Sequence, residues 1–549
     1  MKSGFRWSGR VLGSLLSVAM AANIVNAQQQ ETSKGLIQRA DPNIHGDGTI
    51  SPPAAAAIMR GSLPMNDAET AAKQAATRAS EEYEQSAPAS PSAEIGEAAP
   101  AAVVGGHSFA GLNGGGKAGA IGPFSYIQMT QGSARIYNRN THATVASASL
   151  TEMAEITPTT FFQPFSVDPQ IIWDPSTNRF YYVMRSSWGH RSNGLSFGFS
   201  RTSNPTDFSR NNWCKYTLGL QSSVLTDLTL GDSHYFIIVG AHTQGGHLHG
   251  PIIYAISKPQ AGTACPDGSS FKIGSGGILF DTNNNRVWAP VAANQVDSNT
   301  TGYVVARSGE LPSNKLWFYS VKRDPSTGFP VVGRPRGLTV PTYDMPPDAS
   351  LPTVSDRLDT GDGRPTQAVQ AHNPNRGTKQ PFWVQHTVKH PTRDLAAVRW
   401  YEIDPAPAKP VILRSGLIKN STSHFYNAAI SPDRRSDGAT LQFGDSFVIH
   451  YNESGSASGI SPRIVARSSF DGGPLSAPLI VRNAAGPFQH SSCSTIGSTC
   501  SWGGSQASPD PRPTAEGRGQ VWGTNMYSGV ANPSTSNPNY RTWIFALQP

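Results

Sequence analysis

Three aspartates open short apolar runs in this 549-residue sequence: Asp168 in VDPQIIWD, Asp227 in LTDLTL and Asp348 in PPDASL. Asp359 and Asp362 follow in LDTGDGR. Two carboxylates facing each other across a sugar can cleave a glycosidic bond, one as acid and the other as base or nucleophile. Retention needs them about 5.5 Å apart and inversion about 6.5–9.5 Å. Asp168 is expected to be the base or nucleophile, with Asp227 or Asp348 supplying the acid. Aspartate beside proline is also ordinary turn chemistry, so each carboxylate has a plain alternative role in capping a turn.

A second concentration of chemistry is AHTQGGHLH, Ala241 to His249. His247 and His249 on one strand would point to the same side, as metal ligands do. The flanking glycines suit a polar loop over a substrate better, so no metal and no cofactor are expected. Among the tryptophans, Trp188 and Trp502 are candidates for stacking on a sugar ring. Trp288, Trp317, Trp383 and Trp522 also lie on or beside apolar runs, where packing in a sheet core is the competing role. No G-x-S-x-G, P-loop or H-E-x-x-H motif occurs, so esterase, nucleotidase and zincin chemistry lack support.

The elements that must position these residues are strands. Glycine (54) and proline (43) are abundant without a G-X-Y period, and only 15% of residues are charged, which excludes collagen and a helical bundle. Eleven Trp, 22 Phe and 16 Tyr exclude a wholly disordered chain. From Pro123 onward short β-rich runs alternate with turn residues, among them QIIWD, RFYYVMRSS, HYFIIVGA, KLWFYSVK and RTWIFAL. Runs that open a sheet unit begin near Phe124, Asp168, Asp227, Val287, Thr366, Tyr426 and Ala507. Spacings of roughly 40 to 80 residues match four-stranded propeller blades with loop insertions. The expected fold is all-β, a single β-propeller of about seven (alternatively six) blades over residues 122–549. RTWIFAL suits a final strand that closes the ring with an N-terminal one.

Ahead of the propeller, Lys2, Arg6 and Arg10 precede the apolar run Val11–Ala22 and a small-residue site ending at Ala27. Residues 1–27 therefore read as a secretory signal peptide. Its removal leaves 41 basic against 37 acidic residues, a net of +4, which gives no case for nucleic acid. Residues 28–121 form an Ala/Pro/Gly-rich segment with little to bury, expected to be disordered or, over Asn66–Gln85, a solvated helix. With no second long apolar stretch, the mature protein is expected to be secreted, extracellular or periplasmic. No membrane span is expected; the partner would be an extracellular polysaccharide or glycan, with association at the cell surface. Four cysteines suit that compartment: Cys493 and Cys500 close a tight loop, leaving Cys214 and Cys265 for a second bridge.

Asp168-Pro169-Gln170-Ile171-Ile172-Trp173-Asp174-Pro175 followed by RFYYVM, with SFGFSRTSNPTDF behind it, resembles the opening of secreted bacterial sialidase-like β-propellers. GPFSYIQMTQGSARIYNR, CSWGGSQASPDP and VWGTNMY resemble further pieces of that group, so the likeness spans most of residues 122–549. The group shows W-G-D-Y where this chain has Trp502-Gly503-Gly504-Ser505, and Ser469-Phe470-Asp471-Gly472-Gly473 starts an Asp-box without completing it. The resemblance thus implies the fold and argues against sialidase activity itself. It also implies a catalytic base at Asp168, where related furanosidase propellers keep theirs. The functional expectation is a glycoside hydrolase; the alternative is a non-catalytic cell-surface propeller.

Overall fold

The computed structural model describes residues 37–39, 67–86, 103–112, 116–156, 164–189, 192–221, 223–245, 249–259, 264–352, 355–436, 442–488, 499–513, 519–530 and 539–549. Within them lie seven antiparallel units. Their innermost strands are Gly116–Ile121, Phe165–Asp174, Val224–Asp232, Val287–Gln295, Pro365–Gln370, His424–Pro432 and Gln506–Pro509. Each innermost strand touches the next, and Gln506–Pro509 touches Gly116–Ile121, which closes the ring. The fold is a β-propeller, and these seven units are its blades 1 to 7.

Strand alternation explains why the blades stack. In blade 2, Ile171, Trp173, Phe180, Tyr182 and Met184 pack with Ile127 and Ile136 of blade 1. Their neighbours Ile172, Tyr181 and Val183 pack with Leu225, Leu230 and Val239 of blade 3. Successive side chains of a strand point to opposite faces, so one blade feeds two cores. The same sharing recurs around the ring to the core between blades 7 and 1, where Trp522 and Ile544 meet Tyr126 and Tyr137. Where neighbouring inner strands run closest there is no room even for a Cβ. A Cβ on Gly231 would lie 2.3 Å from the Ala293 carbonyl oxygen, a distance that forces the backbone apart.

The inner strands also end alike. Asp174, Asp232, Asp297, Asp433 and Asp510 stand at or just beyond their last residues. Lys258 lies 2.7 Å from both Asp174 and Asp232, joining blades 2 and 3. Arg139 of blade 1 holds Asp510 of blade 7 at 2.7 and 3.0 Å, and Arg434 of blade 6 reaches Asp297 beyond blade 4 at 2.8 Å. Cys214 and Cys265 form a disulfide, as expected, between the last strand of blade 2 and the loop before the last strand of blade 3. Cys500 is disulfide-bonded as well, while Cys493 lies outside the described residues.

Two features differ from the expectation of a disordered segment up to residue 121. Val103–Ala110 pairs with Tyr540–Gln548 as the fourth strand of blade 7, and Gly116–Ile121 is the inner strand of blade 1. Their small residues suit close-packed strands, which is why composition alone hides them. Helix α1, Asp67–Ser86, buries Glu69, Lys73, Ala76 and Ser80, so it is packed, mostly by polar contacts, with Tyr83 its one large ring. Chains that begin at residue 101 and at residue 111, which differ only by the closing strand, should therefore melt differently. Loss of the closing strand should lower the melting temperature of the shorter chain by several degrees; equal melting would deny that strand a closing role.

Candidate functional site

Asp168 and Asp227 occupy equivalent places in adjacent blades. The pairing of inner and second strand slips between Val167 and Gln170 in blade 2 and between Thr226 and Thr229 in blade 3. Both aspartates take left-handed backbone, φ 56° and 54°. The same bulge recurs at Ala289 (φ 48°) in blade 4 and at Asn427 (φ 49°) in blade 6. Asp and Asn tolerate this conformation better than most residues. The bulge is thus a device of the fold, and blades 2 and 3 are distinct in placing a carboxylate on it. Such bulges re-aim side chains and gather at sites of function.

Cations link these carboxylates. Arg364 binds Asp227 at 2.7 Å and grips Asp362 through Nε and Nη2, both at 2.7 Å. Arg307 stands 3.5 Å from Asp362, whose other partner is the indole N–H of Trp288 at 2.8 Å. Burial alone would raise the Asp362 pKa, but the Arg364 and Arg307 guanidinium groups outweigh it and hold the carboxyl well below its ordinary range. Burial pulls Arg185 down, and the charges of Asp168 and Asp227 both oppose that shift, so Arg185 sits in the field of the two carboxylates. Asp168 itself is buried, with its amide donating to Gln131 Oε1 at 3.2 Å.

His242 completes the cluster. Its Nε2 accepts the Ala289 amide at 2.9 Å, and its ring lies 4.3 Å from that of Trp288. Burial, with Arg364 beside it, lowers its pKa to about 3, so the imidazole is neutral. The bond at Nε2 places the proton on Nδ1. The arrangement combines two carboxylates on strained backbone, three arginines and a half-buried indole, a set suited to binding a polar ring and stabilising charge on it.

The other expected residues are placed as follows. Asp348 is not on an inner strand, which corrects the sequence expectation. Blade 5 opens only at Pro365, after an excursion carrying the short strands Ala349–Ser350 and Arg357–Leu358. Asp348 lies in that excursion and pairs with Lys73 at 2.9 Å. Trp502 is core: it is buried, donates to Asn452 Oδ1 at 2.9 Å and packs edge-on against Phe488. Trp188 is half-buried across its own blade, beside Gly194. His249 is exposed just ahead of Gly250–Ser257, and His247 falls outside the described residues. Among the described residues no group of three or more His, Cys, Asp or Glu is arranged to hold a metal.

Sequence reasoning missed Arg185, Arg307 and Arg364. A signal exists for two of them: Arg185 and Arg307 each follow an apolar run within the second strand of a blade, YYVMR and YVVAR. An arginine there is buried and needs partners.

No family model matches the chain, and no curated protein matches it. Solved structures with a similar course include the WD40 domain of SCAP from fission yeast, at 10% identity and TM-score 0.31, covering 78% of this chain and 84% of that one. An exo-β-1,3-galactanase from Clostridium thermocellum matches at 10% identity and TM-score 0.28, covering 66% and 83%. The GH93 α-L-arabinofuranosidase of Fusarium graminearum, in complex with arabinobiose, matches at 12% identity and TM-score 0.29, covering 66% and 89%. At such scores these likenesses carry no argument, and the fold rests on the closed ring of strands described above.

Proposed function

We propose that this chain is a secreted glycan-active propeller, a glycoside hydrolase whose working carboxylates are Asp168 and Asp227. The observation that carries the reading is their equivalence: neighbouring inner strands, the same left-handed bulge, and Arg185 in the field of both. Arg364 at 2.7 Å favours the charged carboxylate of Asp227, which suits charge stabilisation better than proton donation. Asp168 remains the base or nucleophile of the proposal. The Cys214–Cys265 bridge supports an oxidising compartment, and no helix among the described residues is long and apolar enough to cross a membrane.

The saturation of Asp227 by arginine also favours a second reading, a propeller that binds a glycan without cleaving it. Purified protein incubated with a panel of neutral, acidic and amino polysaccharides separates the two. Release of reducing ends supports hydrolysis. Retention of a polysaccharide without release supports the binding module, and neither result on any member of the panel counts against both.

A further inference from the structure

Helix α1 has an unusual way of holding on. Glu69, Lys73, Thr77, Ser80 and Glu84 recur at helical spacing on one face, and the single large ring of the helix, Tyr83, also reaches the propeller, donating to the Ser421 carbonyl at 2.9 Å under Arg393. Lys73 Nζ lies within 2.9 Å of four oxygens, those of Asp348, Pro346, Thr360 and Gly361, with Asp359 at 3.8 Å. Glu69 binds Arg307 at 2.6 Å. At the other end Glu84 binds His424 at 3.0 Å and Arg357 at 3.3 Å, and Ser350 donates to it. Burial would raise the Glu84 pKa, but His424, Ser350 and Arg357 bring it down to about 2.

We infer that the surface formed by Arg307 of blade 4, Asp348, Arg357 and Asp359 of the excursion before blade 5, and His424 of blade 6 is a docking site for a charged helical segment, and that α1 is its tethered, exchangeable occupant. Three considerations support this. Charges on both sides regain water when the helix leaves, so an ionic contact of this kind has a small net stability compared with an apolar one of equal area. Most of a helix's stability in a protein comes from its packing rather than from propensity, so α1 has little to keep it folded once it leaves. The signs alternate along the groove, positive at Arg307, negative at Asp348 and Asp359, positive at Arg357. Glu69, Lys73 and Glu84 complement these signs, and their unequal spacing, four residues and then eleven, sets the direction in which the helix fits. Docking also reaches the candidate site, because Arg307 is shared between Glu69 at 2.6 Å and Asp362 at 3.5 Å, and Asp362 shares Arg364 with Asp227. This last link, occupancy of the surface read out at Asp227, rests on the functional reading above; the docking itself does not.

The test is hydrogen exchange followed by mass spectrometry on the full chain, which needs no glycan. Amides of Asp67–Ser86 should exchange at least tenfold faster in about 1 M salt than in low salt, where surface charges are unscreened. Inner-strand amides should not change. In a Lys73→Glu chain, a third carboxylate meets Asp348 and Asp359, so protection of α1 should vanish while the blades keep theirs. A synthetic peptide of residues 67–86 should then bind this variant saturably and lose affinity with salt, and the same peptide carrying Lys73→Glu should not bind. Salt-independent protection of α1 equal to that of the inner strands would overturn the inference, as would loss of blade protection together with α1. Should Lys73→Glu fail to fold, the salt series on the unmodified chain decides alone. If exchange behaves as expected and no polysaccharide is cleaved or bound, the docking surface stands and the glycan reading falls.

Discussion

Asp168→Asn is expected to leave the propeller folded and to reduce turnover by a factor on the order of 10³ or more, the loss typical of a group central to the transition state. The structure explains why folding should survive. Asn427 occupies the equivalent bulge in blade 6 with φ 49°, so asparagine is already at home in this backbone. Ala289 occupies it in blade 4, so the bulge does not need a carboxylate. Arg185 loses one of its two negative neighbours and keeps Asp227. The melting temperature should therefore move by no more than a few degrees. If Asp168 only shapes the turn, the result inverts: stability falls and turnover on the polysaccharide that the panel identifies stays near normal. Measuring both quantities on one variant distinguishes the roles, and normal turnover would remove Asp168 from the mechanism.

Lys258→Met should destabilise the protein more than any other single exchange considered, by about 3–5 kcal/mol, because it leaves buried carboxylates without their cation. Lys258, Asp174 and Asp232 are all nearly solvent-free, and both ion pairs are 2.7 Å long. The three groups shift in different directions. Burial raises Asp232 to about 7, with Lys258 opposing and Asp174 reinforcing. Burial would raise Asp174 too, but Lys258 wins and lowers it. Burial lowers Lys258, and the two carboxylates outweigh it and raise it. The stability tied to the depressed Asp174 is present above the ordinary carboxylate range and is lost as pH falls through its folded value. That tied to the raised Asp232 is present at low pH and is lost as pH rises through about 7. Without Lys258 both carboxylates belong to the second kind, since only protonation relieves their burial and mutual repulsion. The deficit of the variant should thus be small at pH 5 and large at pH 8. Thermal melts at both values check this, and an equal deficit would show that packing of the lysine stem, not its charge, carries the effect.

Much of the ring was legible because its signals are local. Six of the seven residues read as openings, Asp168, Asp227, Val287, Thr366, Tyr426 and Ala507, fall on six different inner strands, and Phe124 sits just before the second strand of blade 1. Turn residues between apolar runs mark every blade, and RTWIFAL does close the ring. The hidden parts lack such signals. GKAGAI offers a single apolar side chain larger than alanine, Ile121, and a Cβ on its Gly119 would already lie 2.0 Å from the Tyr126 hydroxyl. Helix α1 has no apolar stripe because its partners are Asp348, Arg307 and His424, which lie hundreds of residues away in sequence. The candidate site divides in the same way. Asp168 and Asp227 announce themselves as strand openers, whereas Arg364, Arg307 and Trp288 meet Asp362 only once blades 4 and 5 are assembled. Asp348 sits beside proline as Asp168 does, but the opening read for this unit was Thr366, and that residue is the one on the inner strand of blade 5.

The closing strand sets a schedule for folding. Val103 lies against Gln548 and Ala110 against Trp543, so one edge of blade 7 is made long before the strand that it pairs with. Blades 1 to 6 can form in order as the chain emerges, since each core needs only the blade that follows it. Val103–Ala110 must wait, with its hydrogen-bonding edge unsatisfied, until Tyr540–Gln548 has been synthesised. So long a separation between partners makes closure a late and slow event. A waiting strand of this kind can also pair with the wrong neighbour. Val103–Ala110 carries two glycines and no charged side chain, GG between Val104 and His107, so nothing in it repels a second copy during that interval. Premature release of the nascent chain, rather than heat, is the condition under which this propeller should aggregate most readily.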